Sequence, residues 1–261
     1  MKKTVSKDST IIAFDQSGKG SALILVGGAF QHRAIDPRTT QLAALLAPYF
    51  TVYHYDRRGR GDSSDTAPYA IEREVEDLEA LIKEAGGSAF VFGMSSGAVL
   101  ALKAAARGLA ITQLALYEPP FNLDDKARAV SETYTKQLTA LLAEDRRGDA
   151  VTLAMLTWGT PAEVVAGMRQ TPVWAIFESV APTLAYDNAL MGDGSVPTKQ
   201  LASVTVPTLV LDGGASPVFM HNAAQAAADA LPNAQRRTLA GQTHDVAPEI
   251  LAPELIEFFK G

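Results

Sequence analysis

The sequence predicts an α/β fold: a mostly parallel central sheet with helices on both faces and one inserted helical segment. Three observations predict it. Short continuous apolar runs recur along the 261 residues, such as SALILV at 21–26 and VPTLVL at 206–211. Runs of this length suit strands buried on both faces of a sheet. Segments rich in Ala, Leu and Glu, with spaced apolar positions, separate them, and strand–helix alternation builds βαβ units.

The elements follow in order. TIIAF, 10–14, reads as an extra edge strand. SALILV, 21–26, is a central strand ending in Gly27-Gly28, and a helix follows over 38–47. TVYHY, Thr51–Tyr55, runs into Asp56 and the loop RRGRGDSS, with a helix over 71–85 beyond it. AFVF, 89–92, stops at GMSSG, where an Ala-rich helix over 97–107 starts. ITQLALY, Ile111–Tyr117, ends in Glu118-Pro119-Pro120. VPTLVL ends in Asp212-Gly213-Gly214, a helix covers 223–231, QRRTLA at 235–240 is the last strand, and 248–259 is the last helix. Between 121 and 197 the pattern stays helical, broken by Pro161, Pro172, Pro182 and Pro197. A long helical insertion between two strands predicts a lid over the strand ends; the plainer alternative is a helical excursion that packs on one edge. The expected organisation is therefore a core of 1–120 and 198–261 with a lid of 121–197. Met155, Trp158, Met168, Trp174 and Phe177 are expected to pack the lid.

Composition excludes several function classes. The net charge is −6, which argues against a nucleic-acid partner or an anionic membrane surface. With no cysteine, disulfides, thiolate nucleophiles and cysteine-ligated metals are excluded. Lys2 and Lys3 are not followed by an apolar stretch before charge returns at Lys7 and Asp8, so neither a secretory signal nor a membrane span is expected, and a cytoplasmic location is. No G-x-G-x-x-G, P-loop or H-E-x-x-H is present, and neither a cofactor nor a metal is expected. The loop arginines 57, 58 and 60 are expected to pair with Asp56, Asp62 and Asp65. The expected partner is a small-molecule substrate; the oligomeric state is open.

The chemistry centres on G-M-S-S-G, 93–97. This is G-x-S-x-G between a strand and a helix, the context its mechanics require. So tight a turn strains its central residue, Ser95, and lifts the hydroxyl above the sheet beside a helix N-terminus. The bland alternative is a serine that only caps the helix. A serine needs a base. Of the four histidines, His54 lies within a strand pattern, His32 follows the first strand's loop, and His221 sits in the helix after Asp212. His244, in G-Q-T-H-D after the last strand, fits the chain order Ser, acid, His.

Four features together, G-G-A-F, Y-D-R-R-G-R-G-D-S, G-M-S-S-G and G-Q-T-H-D, resemble the α/β-hydrolase superfamily over nearly the whole chain. The resemblance implies a serine hydrolase in which Ser95 attacks and His244 is the base. Backbone N–H groups of Ala29 and Ser96 would form the oxyanion hole, with Phe30 a weaker candidate. It also exposes a departure. The family's usual acid lies a few residues past the turn after the VPTLVL strand, and here that place holds Ser216. A neutral hydroxyl cannot stabilise imidazolium as a carboxylate does. Glu118 at one strand end and Asp212 at the next are the candidate replacements, with neither serving as the third option; the plainer role is a turn-forming aspartate for Asp212, and for Glu118 a strand-end acid paired with an arginine or bonded to the loop backbone. The expected substrate is a small, largely apolar ester, lactone or thioester. Carbon–carbon bond hydrolysis uses the same groups. The alternative from a different class is a non-catalytic ligand-binding protein on the same fold, which Ser216 keeps open.

Overall fold

The structure is a computed structural model that describes residues 1–261, apart from the side chains at positions 125 and 127. Its centre is an eight-stranded sheet in the order β1-β2-β4-β3-β5-β6-β7-β8. The strands are β1 (Lys2–Val5), β2 (Ile11–Ser17), β3 (Ala22–Val26), β4 (Thr51–Tyr55), β5 (Ala89–Met94), β6 (Ile111–Tyr117), β7 (Thr208–Gly213) and β8 (Ala234–Leu239). β2 runs antiparallel to β1 and β4, and from β4 onward every pairing is parallel. TIIAF is thus a strand but not the edge. The edge is β1, whose KKTV is mostly exposed and carries no apolar run to betray it.

The central strands are apolar throughout because each face buries its own set. Ile24, Val91, Leu114 and Val210 point to one side, against α2 (Ile71–Glu84), α3 (Ser96–Ala106) and α10 (Val218–Ala230). Leu23, Leu25, Phe92, Ala115, Leu209 and Leu211 point to the other, against α1 (Pro37–Leu46) and α11 (Pro248–Lys260). Alternation of the pleat sends neighbours to opposite faces, so a strand covered on both sides reads as a continuous run.

Between β6 and β7 lie α4 (Asp125–Ala143), α5 (Arg147–Thr157), α6 (Ala162–Met168), α7 (Val173–Val180), a 3-10 turn (Ala181–Thr183), α8 (Leu184–Met191) and α9 (Thr198–Leu201). These helices form a core of their own around Leu138, Val151, Ala154, Trp174 and Leu184, with Met155, Met168 and Phe177 packed in. Phe30, from the loop after β3, also enters this core, its ring 5.1 Å from Phe177 and 5.6 Å from Trp158. Trp158 itself is half-exposed. Among the described residues no helix is long and apolar enough to cross a membrane.

The approach of α3 to the sheet permits no side chain at two positions. A Cβ on Gly97 would stand 2.3 Å from Val26 O and 2.5 Å from Gly27 O; one on Gly93 would meet Gly97 O at 2.6 Å. Backbone oxygens cannot swing aside. Gly97→Ala is therefore expected to cost about 2 kcal/mol or more, as overpacking does. A urea midpoint within error of the wild type would refute this close approach.

Candidate active site

The site assembles where β3, β5, β6 and β7 end. Ser95 bridges β5 and α3 with φ 56° and ψ −125°, a backbone region that costs a non-glycine residue about 1–3 kcal/mol. Its N–H donates to Tyr117 O at 2.9 Å, which carries the β5–β6 ladder one residue past the strand. Its hydroxyl has no hydrogen-bond partner among the described residues and is partly exposed. Glu118, the residue after Tyr117, has φ 46° and donates its N–H to Leu211 O at 2.9 Å. Of five non-glycine residues at positive φ among the described residues, three, Phe30, Ser95 and Glu118, stand at this rim.

The Glu118 carboxylate is fully buried. One oxygen accepts the Gly213 N–H at 2.8 Å, and the other lies 2.7 Å from His244 Nδ1. An acceptor at Nδ1 fixes the tautomer in which Nε2 is the proton acceptor. The His244 loop is tied down on both sides. Tyr117 Oη donates to Thr243 O at 2.6 Å, and Ala215 N–H donates to Gln242 O at 2.7 Å. Gly213 is the point of closest approach, since a Cβ there would meet Gln242 O at 2.5 Å.

Asp212 is not brought to His244. Its buried carboxylate meets His221 Nδ1 at 2.5 Å, Arg236 at 2.9 Å and Thr238 Oγ1 at 3.2 Å. The cause is the strand pleat: Asp212 and Gly213 face opposite sides of β7, and only the Gly213 N–H points to Glu118. Ser216 is also buried here. Its hydroxyl lies close enough to Glu118 to hold the carboxyl down, although no pairing meets strict hydrogen-bond geometry.

The loop after β3 supplies the candidate oxyanion donors. No acceptor among the described residues takes the N–H of Ala29, nor that of Ser96 at the first turn of α3. Gly28 places this loop against the serine, because a Cβ on it would lie 3.0 Å from Ser95 Cβ. The Gln31 side chain holds the loop's shape, accepting Gly28 N–H at 2.5 Å and donating to Asp36 at 2.8 Å.

Behind these donors lies a buried charge cluster that sequence reasoning misplaced. The loop arginines leave their own loop's acids. Asp56 is taken instead by Arg33 and by the Asp62 N–H, and Asp65 by Tyr186. Arg58 pairs with Asp77 and Asp8. Arg57 pairs with Glu74 at 2.7 Å and with Asp187 of α8 at 2.7 Å, and Arg60 meets the other Asp187 oxygen at 2.6 Å. Ser96 Oγ donates to Asp187 at 2.7 Å. Burial alone would raise the Asp187 carboxyl, but the Arg60 and Arg57 guanidiniums and the Ser96 hydroxyl lower it below its ordinary value. No local spacing announces Asp187, which is 130 residues from Arg57. The one available signal was the crowding of three arginines into the loop.

His32 is buried with neither ring nitrogen hydrogen-bonded, and desolvation lowers its pKa. His54 is likewise buried in β4. Among the described residues no group of three or more His, Asp or Glu stands close enough to hold a metal. A hollow of about 290 Å³, walled by Val130, Thr133, Tyr134 and Thr157, opens on the inserted helices and includes none of the site residues.

Burial by itself would raise the Glu118 carboxyl; the His244 contact, the nearby Ser216 hydroxyl and the Gly213 N–H bond outweigh burial and lower it. A carboxyl held low stabilises the fold above its unfolded value, ~4.3, and loses that contribution as pH falls through the lower folded value. The stability gap between wild type and Glu118→Gln is expected to be larger at about pH 5 than at about pH 3. Urea titrations at both pH values check this, and a gap that does not narrow in acid contradicts it.

Comparison with known proteins agrees with this architecture. The model of the alpha/beta hydrolase family matches residues 23–255. An alpha/beta hydrolase from Sphaerobacter thermophilus is 55% identical, with a TM-score of 0.90 over 99% of this chain and 100% of that one. A hydrolase from Pseudomonas aeruginosa is 21% identical, with a TM-score of 0.74 over 100% of this chain and 98% of that one. A thermophilic esterase from Thermogutta terrifontis is 22% identical, with a TM-score of 0.68 over 99% and 96%. No curated protein sequence matches. The family match covers residues 23–255 and the 55% identical relative spans nearly the whole chain, so this chain belongs to the alpha/beta hydrolase family and is a hydrolase.

Proposed function

We propose that the chain is a serine hydrolase that works through an acyl-enzyme. Ser95 Oγ attacks the substrate carbonyl and passes its proton to His244 Nε2. His244 then protonates the leaving group, and a water enters by the reverse route. Glu118 orients the imidazole and stabilises its cation, in the place of the acid that Ser216 cannot be. Ala29 and Ser96 N–H groups hold the oxyanion. The observation that carries this reading is the Glu118–His244 contact of 2.7 Å at the same rim as a strained serine with a free hydroxyl.

The substrate is a small ester, lactone or thioester with a largely apolar acyl or alcohol part. Phe30 supports this, since it follows the proposed donor Ala29 directly and carries its ring into the apolar core of the inserted helices. Those helices act as a lid over the strand ends. Two buried groups of the insertion, Asp187 and Thr183, bond to residues behind the proposed oxyanion hole, and a cover so tied excludes water from the reacting carbonyl.

A fluorophosphonate probe tests the nucleophile. Labelling is expected at Ser95 and is expected to vanish in Ser95→Ala and His244→Ala. A folded wild type that never labels would instead be a ligand-binding protein.

Turnover of a chromogenic short-chain ester separates the two carboxylates. Glu118→Gln is expected to lower kcat by about 10³–10⁴, as loss of the orienting carboxylate does in other triads. Asp212→Asn, scaled to its folded fraction, is expected to stay within about threefold of wild type. A large loss confined to Asp212→Asn would transfer the role.

A further inference from the structure

Both proposed oxyanion donors have a charged group immediately behind them. The Ala29 N–H belongs to the same peptide unit as the Gly28 carbonyl. In a trans peptide the two point in opposite directions, so whatever grips the carbonyl aims the N–H. Arg60 Nη1 donates to Gly28 O at 2.5 Å. Arg57 Nη1 reaches Gly27 O, one peptide earlier, at 3.4 Å. The second donor, Ser96, has its side chain bonded to Asp187 at 2.7 Å and is 3.3 Å from Arg57 Nη1.

We propose that Arg60, held by Asp187 of the inserted helices, is a positioning residue for the oxyanion hole. Its guanidinium fixes and polarises the Gly28–Ala29 peptide, while Asp187 fixes the Ser96 turn. This rests on Ser95 being the nucleophile. Three physical points support it. A cation bonded to a carbonyl strengthens the N–H at the other end of that peptide as a donor, because chained hydrogen bonds polarise one another. Arg60 is held on every side: Nε donates to Thr183 Oγ1 at 3.0 Å, Nη2 to Asp187 at 2.6 Å and Nη1 to Gly28 O, so it cannot rotate away without breaking a buried bond. The guanidinium is 1% exposed, so water does not screen its charge at the site.

The cluster also explains how the inserted helices bear on the chemistry. Asp187 and Thr183 of the insertion both contact Arg60. Displacing α8 and the preceding turn would release the guanidinium, and with it the Gly28 carbonyl. The oxyanion hole is therefore complete only when the insertion is seated.

The test uses the whole chain and the variants Arg60→Met and Thr183→Val. The second removes one Arg60 acceptor and leaves both ion pairs in place. Active sites are counted by fluorophosphonate titration, so that misfolded protein does not enter kcat. Per titrated site, Arg60→Met is expected to lower kcat on a short-chain ester by about 10–100-fold with KM within about threefold. Thr183→Val is expected to lower it less, in the same direction. A short alkyl boronic acid, whose serine adduct carries an oxygen in the hole, is expected to bind Arg60→Met more weakly by a factor similar to the loss in kcat. Unchanged kcat per titrated site, with only a lower Tm, would make Arg60 a stability element and overturn the proposal. A second measurement does not depend on turnover. The Ala29 and Ser96 amide signals in a ¹H–¹⁵N spectrum are expected to shift in Arg60→Met. If wild type neither labels nor hydrolyses, the nucleophile reading fails, and unmoved amides would separately end the positioning claim.

Discussion

The register of three parallel strands governs the site. The ladder from β5 to β6 continues past its last strand residue as Ser95 N–H to Tyr117 O, and that from β6 to β7 as Glu118 N–H to Leu211 O. Parallel strands lie about 4.8 Å apart. The distance between the proposed nucleophile and its acid is thus set by sheet spacing rather than by loop conformation. The positive φ at both residues turns each chain away from its strand at that point, and two main-chain bonds over-determine the strain.

With Glu118 at the end of β6 as the proposed acid, the third strand has a different part. β7 no longer carries a carboxylate toward the imidazole. It supplies the Gly213 N–H to Glu118 and a packing surface for Gln242. Ser216 becomes a neutral neighbour of Glu118, which a second carboxylate there could not be without like-charge repulsion. Asp212 is committed to His221 and Arg236 on the other side of the strand. A buried acid needs such partners to remain charged, and removing one from a buried pair is costly.

The sheet was legible because its central strands are apolar on both faces, and the pleat makes that continuous. β1 was not, since an exposed edge strand of Lys, Lys, Thr and Val carries neither run nor alternation. The serine turn and the histidine loop were legible from glycine spacing and chain order. Which of Glu118 and Asp212 meets His244 was not, because it depends on which way the pleat turns at the end of β7. The arginine loop was misread for a related reason. Its charges are local in sequence, but their partners Glu74 and Asp187 are brought in by α2 and α8, and only tertiary packing shows that a guanidinium at position 60 faces inward.

The Asp187 bridge bears on how such chains diversify. Segments placed between β6 and β7 look like free cassettes, open to exchange for helices of another shape. Here a recombinant that received a foreign cassette would inherit Arg57 and Arg60 from the body but lose one anion facing them, leaving Glu74 alone against two interior cations. The body and its cassette are therefore matched through one buried carboxylate. A cassette seated here without an acid at that place would leave an interior guanidinium short of its counter-charge.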